Sequence, residues 1–240
     1  MRIALVGYGK MGRLIEELAL EKGYSISYKI SSKNEEDIHK IQPANTDVCI
    51  EFSIPDKAYE NLSILIGNQN KVVCGTTGWL DHYDDITGLT QDMESAFLYA
   101  SNFSIGVNIF FAINQKLANL MAGQVAYSVK VEEIHHTSKK DAPSGTGLTL
   151  TQQILEVHPA YDQWVDYDND ERASSALPLI SKRIDPAPGT HIIEYNSPID
   201  SIEIKHTAHS RKGFALGALS AAAFIKDKQG VFTMNDVLKL

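Results

Sequence analysis

Apolar and polar positions follow two regimes along the chain. In the first hundred residues, short apolar runs alternate with segments of helical period. Ile3 to Val6 is an unbroken apolar run and predicts a strand. Met11–Lys22 sets Leu14, Ile15 and Leu18 on one helical face, and Tyr24–Ile30 alternates, with Ile26, Tyr28 and Ile30 on one side. Asp47–Phe52 and Lys71–Cys74 predict further strands. Asp56–Ile66, entered through Pro55, carries Ala58, Leu62, Leu65 and Ile66 at helical spacing. Phe97–Ala100 predicts one more strand. Strands alternating with helices imply βαβ units and a parallel sheet.

The regime changes after about Ser104. Ile105–Ala122 reads as a long helix, Tyr127–Glu133 as a strand with one polar face, and Ser144–Val157 as a helix. Ala176–Ile184, His191–Tyr195 and Ser201–Thr207 are β-like runs close together, predicting an antiparallel or mixed sheet open on one face. Tyr161–Ser175 is charged and polar and predicts a surface loop. The chain turns helical again from Phe214. No internal repeat or low-complexity segment interrupts this order.

Composition narrows the function classes. The 240 residues are 43% hydrophobic and 22% charged, which excludes collagen, a coiled coil, a disulfide scaffold and a wholly disordered chain. A net charge of −8 without a basic block argues against nucleic acid and anionic lipid as partners, while leaving room for a local cationic pocket. Cys49 and Cys74 sit in apolar runs without metal-binding spacing and are expected as buried thiols in a reducing compartment. The N-terminal apolar run is too short for a leader peptide, and the most apolar stretch, Phe214–Ile225, is too short for a bilayer. A cytoplasmic protein without membrane contact is expected.

Gly7-Tyr8-Gly9-Lys10-Met11-Gly12 is a GxGxxG that follows the first strand and opens the first helix. Gly7 suits a tight turn, Gly9 a close approach of pyrophosphate, and Gly12 close helix–strand packing. The helix start then offers N–H groups and a positive dipole end to phosphates. In that position the motif predicts a Rossmann-type dinucleotide site. The acidic ribose reader expected after the second strand is absent there, since the strand runs into Ser31-Ser32-Lys33-Asn34. Ser31, Ser32 and Lys33 offer donors for a 2′-phosphate, with Glu35 and Glu36 expected beyond the turn. The alternative is a solvated turn. The first reading predicts that NADH and NADPH are both used, with NADPH preferred.

A second concentration of chemistry runs from Glu132 to Gly147. It packs His135, His136, Lys139 and Lys140 into six positions, then passes through Pro143 to Ser144, a good N-cap, with Gly145 and Thr146 in the first helical turn. A helix start beside a lysine forms an anion site, and an imidazole there can donate a proton near neutral pH. A small anionic substrate fits; the alternative is a solvated loop before a capped helix. No metal site is expected, because adjacent histidines in a strand point apart and no third ligand is evident.

The block Glu133-Ile134-His135-His136-x-x-Lys139-x-Asp141-Ala142-Pro143-Ser144-Gly145-Thr146 closely resembles the signature of the dihydrodipicolinate (4-hydroxy-tetrahydrodipicolinate) reductase family. The resemblance extends over nearly the whole chain, through Gly75-Thr76-Thr77-Gly78, Ser101–Asn108, His206–Ala218 and Met234–Leu238. It implies reduction of a cyclic unsaturated dicarboxylate by NADH or NADPH in lysine and diaminopimelate biosynthesis. It also implies a dinucleotide-binding domain of residues 1–104 and 211–240, with an α+β substrate and tetramerisation domain of residues 105–210 inserted on a mixed sheet. On this resemblance His135 is the proton donor and Lys139 a second catalytic residue and substrate contact. His136, Ser144, Gly145 and Thr146 belong to the substrate site. Gly7–Gly12, Gly75, Thr76, Thr77, Ala100, Ser101, Asn102 and Phe103 belong to the cofactor site, and a homotetramer is implied. Two rivals remain at this level: another oxidoreductase with a similar dinucleotide motif, and a nucleotide-sensing regulator without turnover. The first would lack the anion loop after its lysine, and the second would leave His135 and Lys139 without a purpose.

Overall fold

Two separate sheets take up the apolar runs. The computed structural model describes residues 1–166 and 175–240. It divides into one unit of Met1–Ile105 with Lys212–Leu240 and a second of Gly106–Arg211.

The first unit is a Rossmann-like α/β layer structure. Its strands are β1 (Arg2–Val6), β2 (Ser25–Ile30), β3 (Val48–Glu51), β4 (Val72–Cys74) and β5 (Ala96–Tyr99), interleaved with α1 (Lys10–Glu21), α2 (Pro55–Gly67) and α3 (Tyr83–Asp92). Side chains alternate across the sheet. Ile3 and Leu5 join one apolar cluster with Ile15 and Leu18 of α1, while Ala4 and Val6 join another with Leu62 and Leu65 of α2. Burial on both faces is why these strands read as continuous apolar runs rather than alternating ones.

The chain enters the second unit through α4 (Ile105–Met121). There follow β6 (Ser128–His135), α5 (Gly145–Leu155), β7 (Gln163–Asp166), β8 (Ala176–Arg183), β9 (Gly189–Asn196) and β10 (Ser201–Ala208). It then returns with α6 (Lys212–Ile225), β11 (Gly230–Phe232) and α7 (Met234–Leu238). The first sheet has the order β11-β5-β4-β3-β1-β2 with every pairing parallel. β2 and β3 flank β1 on opposite sides, so the order reverses there. That reversal opens a crevice beyond the carboxyl ends of β1 and β3.

The second sheet has the order β10-β9-β6-β8-β7 and is mixed: β8 is parallel to β6 and β7, and β9 is antiparallel to β6 and β10. Its inner face changes character along the strands. Val131 pairs with Leu179 and Ile193, and Ile193 with Ile204; Val131, Leu179 and Ile193 pack with Phe110 and Ala118 of α4 and Leu150 and Ile154 of α5. One rung further the row reads Ser181, Glu133, His191 and His206.

Three differences from the sequence reading have physical causes. The Tyr161–Ser175 loop is replaced at Gln163–Asp166 by β7, which pairs its backbone along β8 while its side chains stay exposed or half-buried; residues 167–174 lie outside the described residues. β6 runs two residues beyond Glu133, because its inward positions turn polar without leaving the ladder. α3, β11 and α7 have no counterpart in the apolar pattern: α3 buries only Ile86 and Thr90, and β11 has three residues. Among the described residues no helix is long and apolar enough to cross a membrane.

α6 packs so closely on the segment after β5 that a Cβ at Gly217 would lie 1.7 Å from the Phe103 carbonyl oxygen. A backbone carbonyl cannot swing aside as a side chain can. Gly217→Ala is expected to destabilise the chain by about 2–3 kcal/mol, lowering the melting temperature by several degrees. An unchanged melting temperature in calorimetry would contradict this packing.

Candidate active site

The glycine-rich turn lies at the sheet reversal. Gly7 has φ +90°, and a Cβ there would lie 2.1 Å from the Phe52 carbonyl oxygen, so only glycine closes this turn. Gly9, the N-cap of α1, has open space around its Cα and no side-chain cap on the helix start. Two adjoining hollows share Gly9, Phe52 and Ser53. One, of about 310 Å³, is lined by Gly7, Tyr8, Ser31, Ser32, Glu35 and Lys57 among others. The other, of about 430 Å³, is lined by Lys10, Met11, Gly75, Thr76 and Thr77 among others. Most of the expected cofactor residues are therefore brought to one crevice, whose open backbone and helix start fit a dinucleotide pyrophosphate.

Six of the expected cofactor residues line neither hollow: Gly12, Lys33, Ala100, Ser101, Asn102 and Phe103. Lys33 is exposed and does not line the crevice, whereas Glu35 does, with its carboxylate 3.4 Å from Lys57 Nζ. The cause is Asn34, whose Oδ1 accepts the Ser31 backbone N–H and hydroxyl at 3.0 Å each, tightening the turn so that a 3-10 helix starts at Glu35. Phe103 is buried in the core, its ring 5.6 Å from that of Phe52. Asn102 turns its Oδ1 to the Ser104 N–H at 2.9 Å, and the Ala100 N–H donates to the Cys74 carbonyl.

The crevice wall is held by a carboxylate that no motif predicted. Glu51, at the end of β3, is fully buried and accepts the Ser53 N–H at 3.0 Å, the Ser53 hydroxyl and the Cys74 thiol at 3.3 Å. The Ser53 N–H is shared with Thr76 Oγ1 at 2.8 Å.

In the second unit the polar end of the sheet centres on Glu133. It too is fully buried. The Ser144 N–H donates to both its oxygens at 3.0 Å, the Ser144 hydroxyl donates to Oε2, and the Ser181 hydroxyl donates to Oε1 at 3.1 Å. Arg183 Nη2 lies 3.4 Å from Oε1. Ser144 is the N-cap of α5 and accepts the Gly147 N–H at 3.0 Å. Its side chain thus faces inward, and Gly145 and Thr146 follow it in the first turn of α5. His135 Nδ1 lies 3.8 Å from Glu133 Oε1, and His191 Nε2 lies 3.8 Å from Oε2. Lys139 Nζ is 2.6 Å from Asp141 Oδ2, and Arg183 donates to the Asp141 carbonyl at 2.6 Å, tying the loop to the same hub. His136 stands apart from the hub, with its Nδ1 2.8 Å from Ser138 Oγ.

Burial decides the ionisation of the histidines. It pushes the His135 pKa below the usual value; Glu133 opposes this, while Lys139 and Arg183 add to it. Burial, reinforced by His135, pushes His191 down to about 4. The Asp141 carboxyl is held low by the hydrogen bond from Lys139. Glu133, His135 and His191 offer three ligand atoms within 4.8 Å of one another. The carboxylate already accepts three hydrogen bonds, from the Ser144 amide and hydroxyl and the Ser181 hydroxyl, and faces the Arg183 guanidinium, so its charge is committed to donors other than a cation.

Comparison with known proteins places this geometry. The model for the N-terminal part of dihydrodipicolinate reductase matches residues 1–103, and that for its C-terminal part matches residues 106–238. The chain belongs to the dihydrodipicolinate reductase family. It is 49% identical over 238 residues to the 4-hydroxy-tetrahydrodipicolinate reductase of Christiangramia forsetii, covering 99% of this chain and 98% of that one. It is 30% identical over 259 residues to the enzyme of that name from Lawsonia intracellularis, covering 98% of each. The dipicolinate-bound dihydrodipicolinate reductase from Paenisporosarcina sp. TG-14 has the same fold, with a TM-score of 0.75 at 21% identity over 97% of each chain. Members of the family are nicotinamide dinucleotide-dependent reductases of lysine and diaminopimelate biosynthesis, and this chain is an oxidoreductase of that kind.

Sequence reasoning missed Arg183, His191, Glu35, Lys57 and Glu51 and gave Glu133 no role. Glu133 had a signal, since strand alternation puts it on the face of His135. The others reach their sites through strand pairing and turns that no local pattern encodes.

The depressed His191 pKa makes stability depend on pH. Its folded value, about 4, lies below the unfolded 6.5, so the unfolded chain takes up the proton first. Stability is expected to be full above the unfolded value and to fall as pH drops from 6.5 to about 4, with about 3 kcal/mol from this residue. His191→Gln should flatten that part of the curve. Urea midpoints that fall equally in both proteins would contradict it.

Proposed function

We propose that this chain reduces 4-hydroxy-tetrahydrodipicolinate to tetrahydrodipicolinate, with His135 giving the proton and Lys139 and the start of α5 holding substrate carboxylates. The observation that carries this reading is that an imidazole and a helix start meet at one buried carboxylate, Glu133, whose neighbour Arg183 ties in the loop that carries Lys139 and its partner Asp141, all in an acidic chain. The dinucleotide, when bound in the Gly7–Gly12 crevice, supplies the hydride. Hydride addition to a conjugated imine leaves negative charge on the carbon and nitrogen framework. Lys139 stabilises that charge once a substrate carboxylate replaces Asp141 as its partner, and protonated His135 quenches it. His136 belongs to the rim of the same site.

Both nucleotides are used, with NADPH preferred. Ser32 offers a hydroxyl, the Ser31 hydroxyl lines the crevice but already donates to Asn34, and Lys57 takes the role expected of Lys33. A 2′-phosphate competes with Glu35 for Lys57, so the preference is small. We also assign a homotetramer built through the second unit. α4 and α5 pack on the inner face of the sheet. Ile134, Ile180 and Ile192 on its other face are half-buried, among the ion pairs Lys130–Glu194 and Lys182–Glu132. The buried, unpaired Cys49 and Cys74 suit a reducing cytoplasm.

The direct test is NAD(P)H oxidation by the chain on the freshly condensed product of pyruvate and aspartate semialdehyde. Turnover is expected, and Lys139→Ala should cut it about a hundredfold or more while NADPH binding stays nearly unchanged. No turnover by the native chain, or an equal loss of cofactor binding in the variant, would overturn the reading. For cofactor choice, Lys57→Ala is expected to erase a preference for NADPH of about fivefold in kcat/KM, and Lys33→Ala to leave it. The opposite pattern would return the phosphate to Lys33.

A further inference from the structure

The family signature contains a glutamate two residues before its first histidine, and the structure gives that glutamate an unusual position. Glu133 and His135 project from β6 to the same face, and Nδ1 of His135 is a buried polar atom without a partner. The nearest acceptor is Glu133 Oε1 at 3.8 Å, too far for a hydrogen bond and within reach of a small ring rotation. Nε2 is not sealed in this way and lies beside Gly189, where a Cβ would stand 3.2 Å from it. The ring therefore has one end toward a carboxylate and the other toward a residue without a side chain.

We propose that Glu133 is a positioning residue for proton transfer. Its Oε1 receives the Nδ1–H of His135, fixes the tautomer that leaves Nε2 to carry the transferred proton, and balances the imidazolium charge. The inference rests on the assignment of His135 as donor. In the step, the Nε2–H bond of the imidazolium breaks, its proton bonds to the substrate that has accepted the hydride, and the electron pair stays on Nε2. His135 is left neutral with Nδ1–H toward Glu133, and water restores the proton.

The charged surroundings set the balance. Glu133 faces His135 from its own strand, Arg183 from β8 and His191 from β9, with His206 behind it on β10. Lys139 and Asp141 face it from the loop, and Ser144 meets Glu133 from the start of α5. Arg183 and His135 compete for the same oxygen. Removing either charged neighbour therefore moves His135 in opposite directions, which a merely structural hub would not do.

The test uses the full chain labelled with 15N-histidine, following the His135 ring nitrogens across pH by NMR, beside the pH profile of kcat/KM. Glu133→Gln is expected to lower the His135 pKa by about one unit and to weaken the Nδ1–H tautomer. The basic fall of kcat/KM should move by the same amount, about a tenfold loss above it. Arg183→Met is expected to move both upward, and it decides the matter alone if Glu133→Gln does not fold. A His135 titration and tautomer unmoved by the folded variants would overturn the inference. Because the NMR reading does not depend on which residue gives the proton, expected NMR shifts with a pH limb that survives His135→Gln would support the role of Glu133 and overturn only the donor assignment.

Discussion

A charged carboxylate enclosed between a sheet and a helix start is the constraint on which the second unit depends. Burying Glu133 without partners would be prohibitive. The molecule meets this with donors from two other elements: the Ser144 amide and hydroxyl at the start of α5, and Ser181 and Arg183 on β8. Two of these donors also shape the site. Ser144 fixes where α5 begins, so its N-terminal end is aimed by the same hydrogen bonds that satisfy the carboxylate. Arg183 reaches on to the Asp141 carbonyl and so anchors the loop that carries Lys139. The apolar rungs below, Val131 with Leu179 and Ile193, give the hub a rigid floor.

The first unit solves a related problem in the same way. Glu51 is buried at the carboxyl end of β3 and holds the Ser53 turn, which lies between the two hollows of the crevice. In both units a strand carries an inward carboxylate at or near its carboxyl end, and the chain leaving or meeting that strand end is shaped by its hydrogen bonds. The carboxylate also acts on its neighbours: the Cys74 thiol beside Glu51 is pushed well up, chiefly by burial and then by the carboxylate charge. That thiol stays protonated and serves as a donor.

Much of this was legible in the sequence, for identifiable reasons. Parallel strands covered on both faces must be apolar throughout, so β1, β3 and β4 were readable as runs. The glycines of the first turn are demanded by geometry, as the Phe52 carbonyl at Gly7 illustrates. His135, Lys139 and Ser144 stood out because titratable groups and an N-cap crowd one segment. What was hidden depends on pairing between distant segments. Arg183 and His191 are ordinary residues until β8 and β9 align them with Glu133. Lys33 was read as lining the crevice because it is adjacent in sequence. Asn34 instead closes the turn and brings in Glu35, while Lys57 comes from α2. β7 could not be seen in a polar segment, since an edge strand is defined by its backbone partner rather than its side chains.

On the proposed function, the hub built on Glu133 holds a cationic, proton-donating site for a dicarboxylate. A crystal structure of the chain with pyridine-2,6-dicarboxylate and NADPH tests it most directly. A carboxylate of the ligand is expected at the start of α5, on Gly145 and Thr146, with Lys139 Nζ turned from Asp141 to the ligand and the Glu133–Ser144 hydrogen bonds unchanged. A ligand bound away from His135, with Lys139 still paired to Asp141, would contradict it.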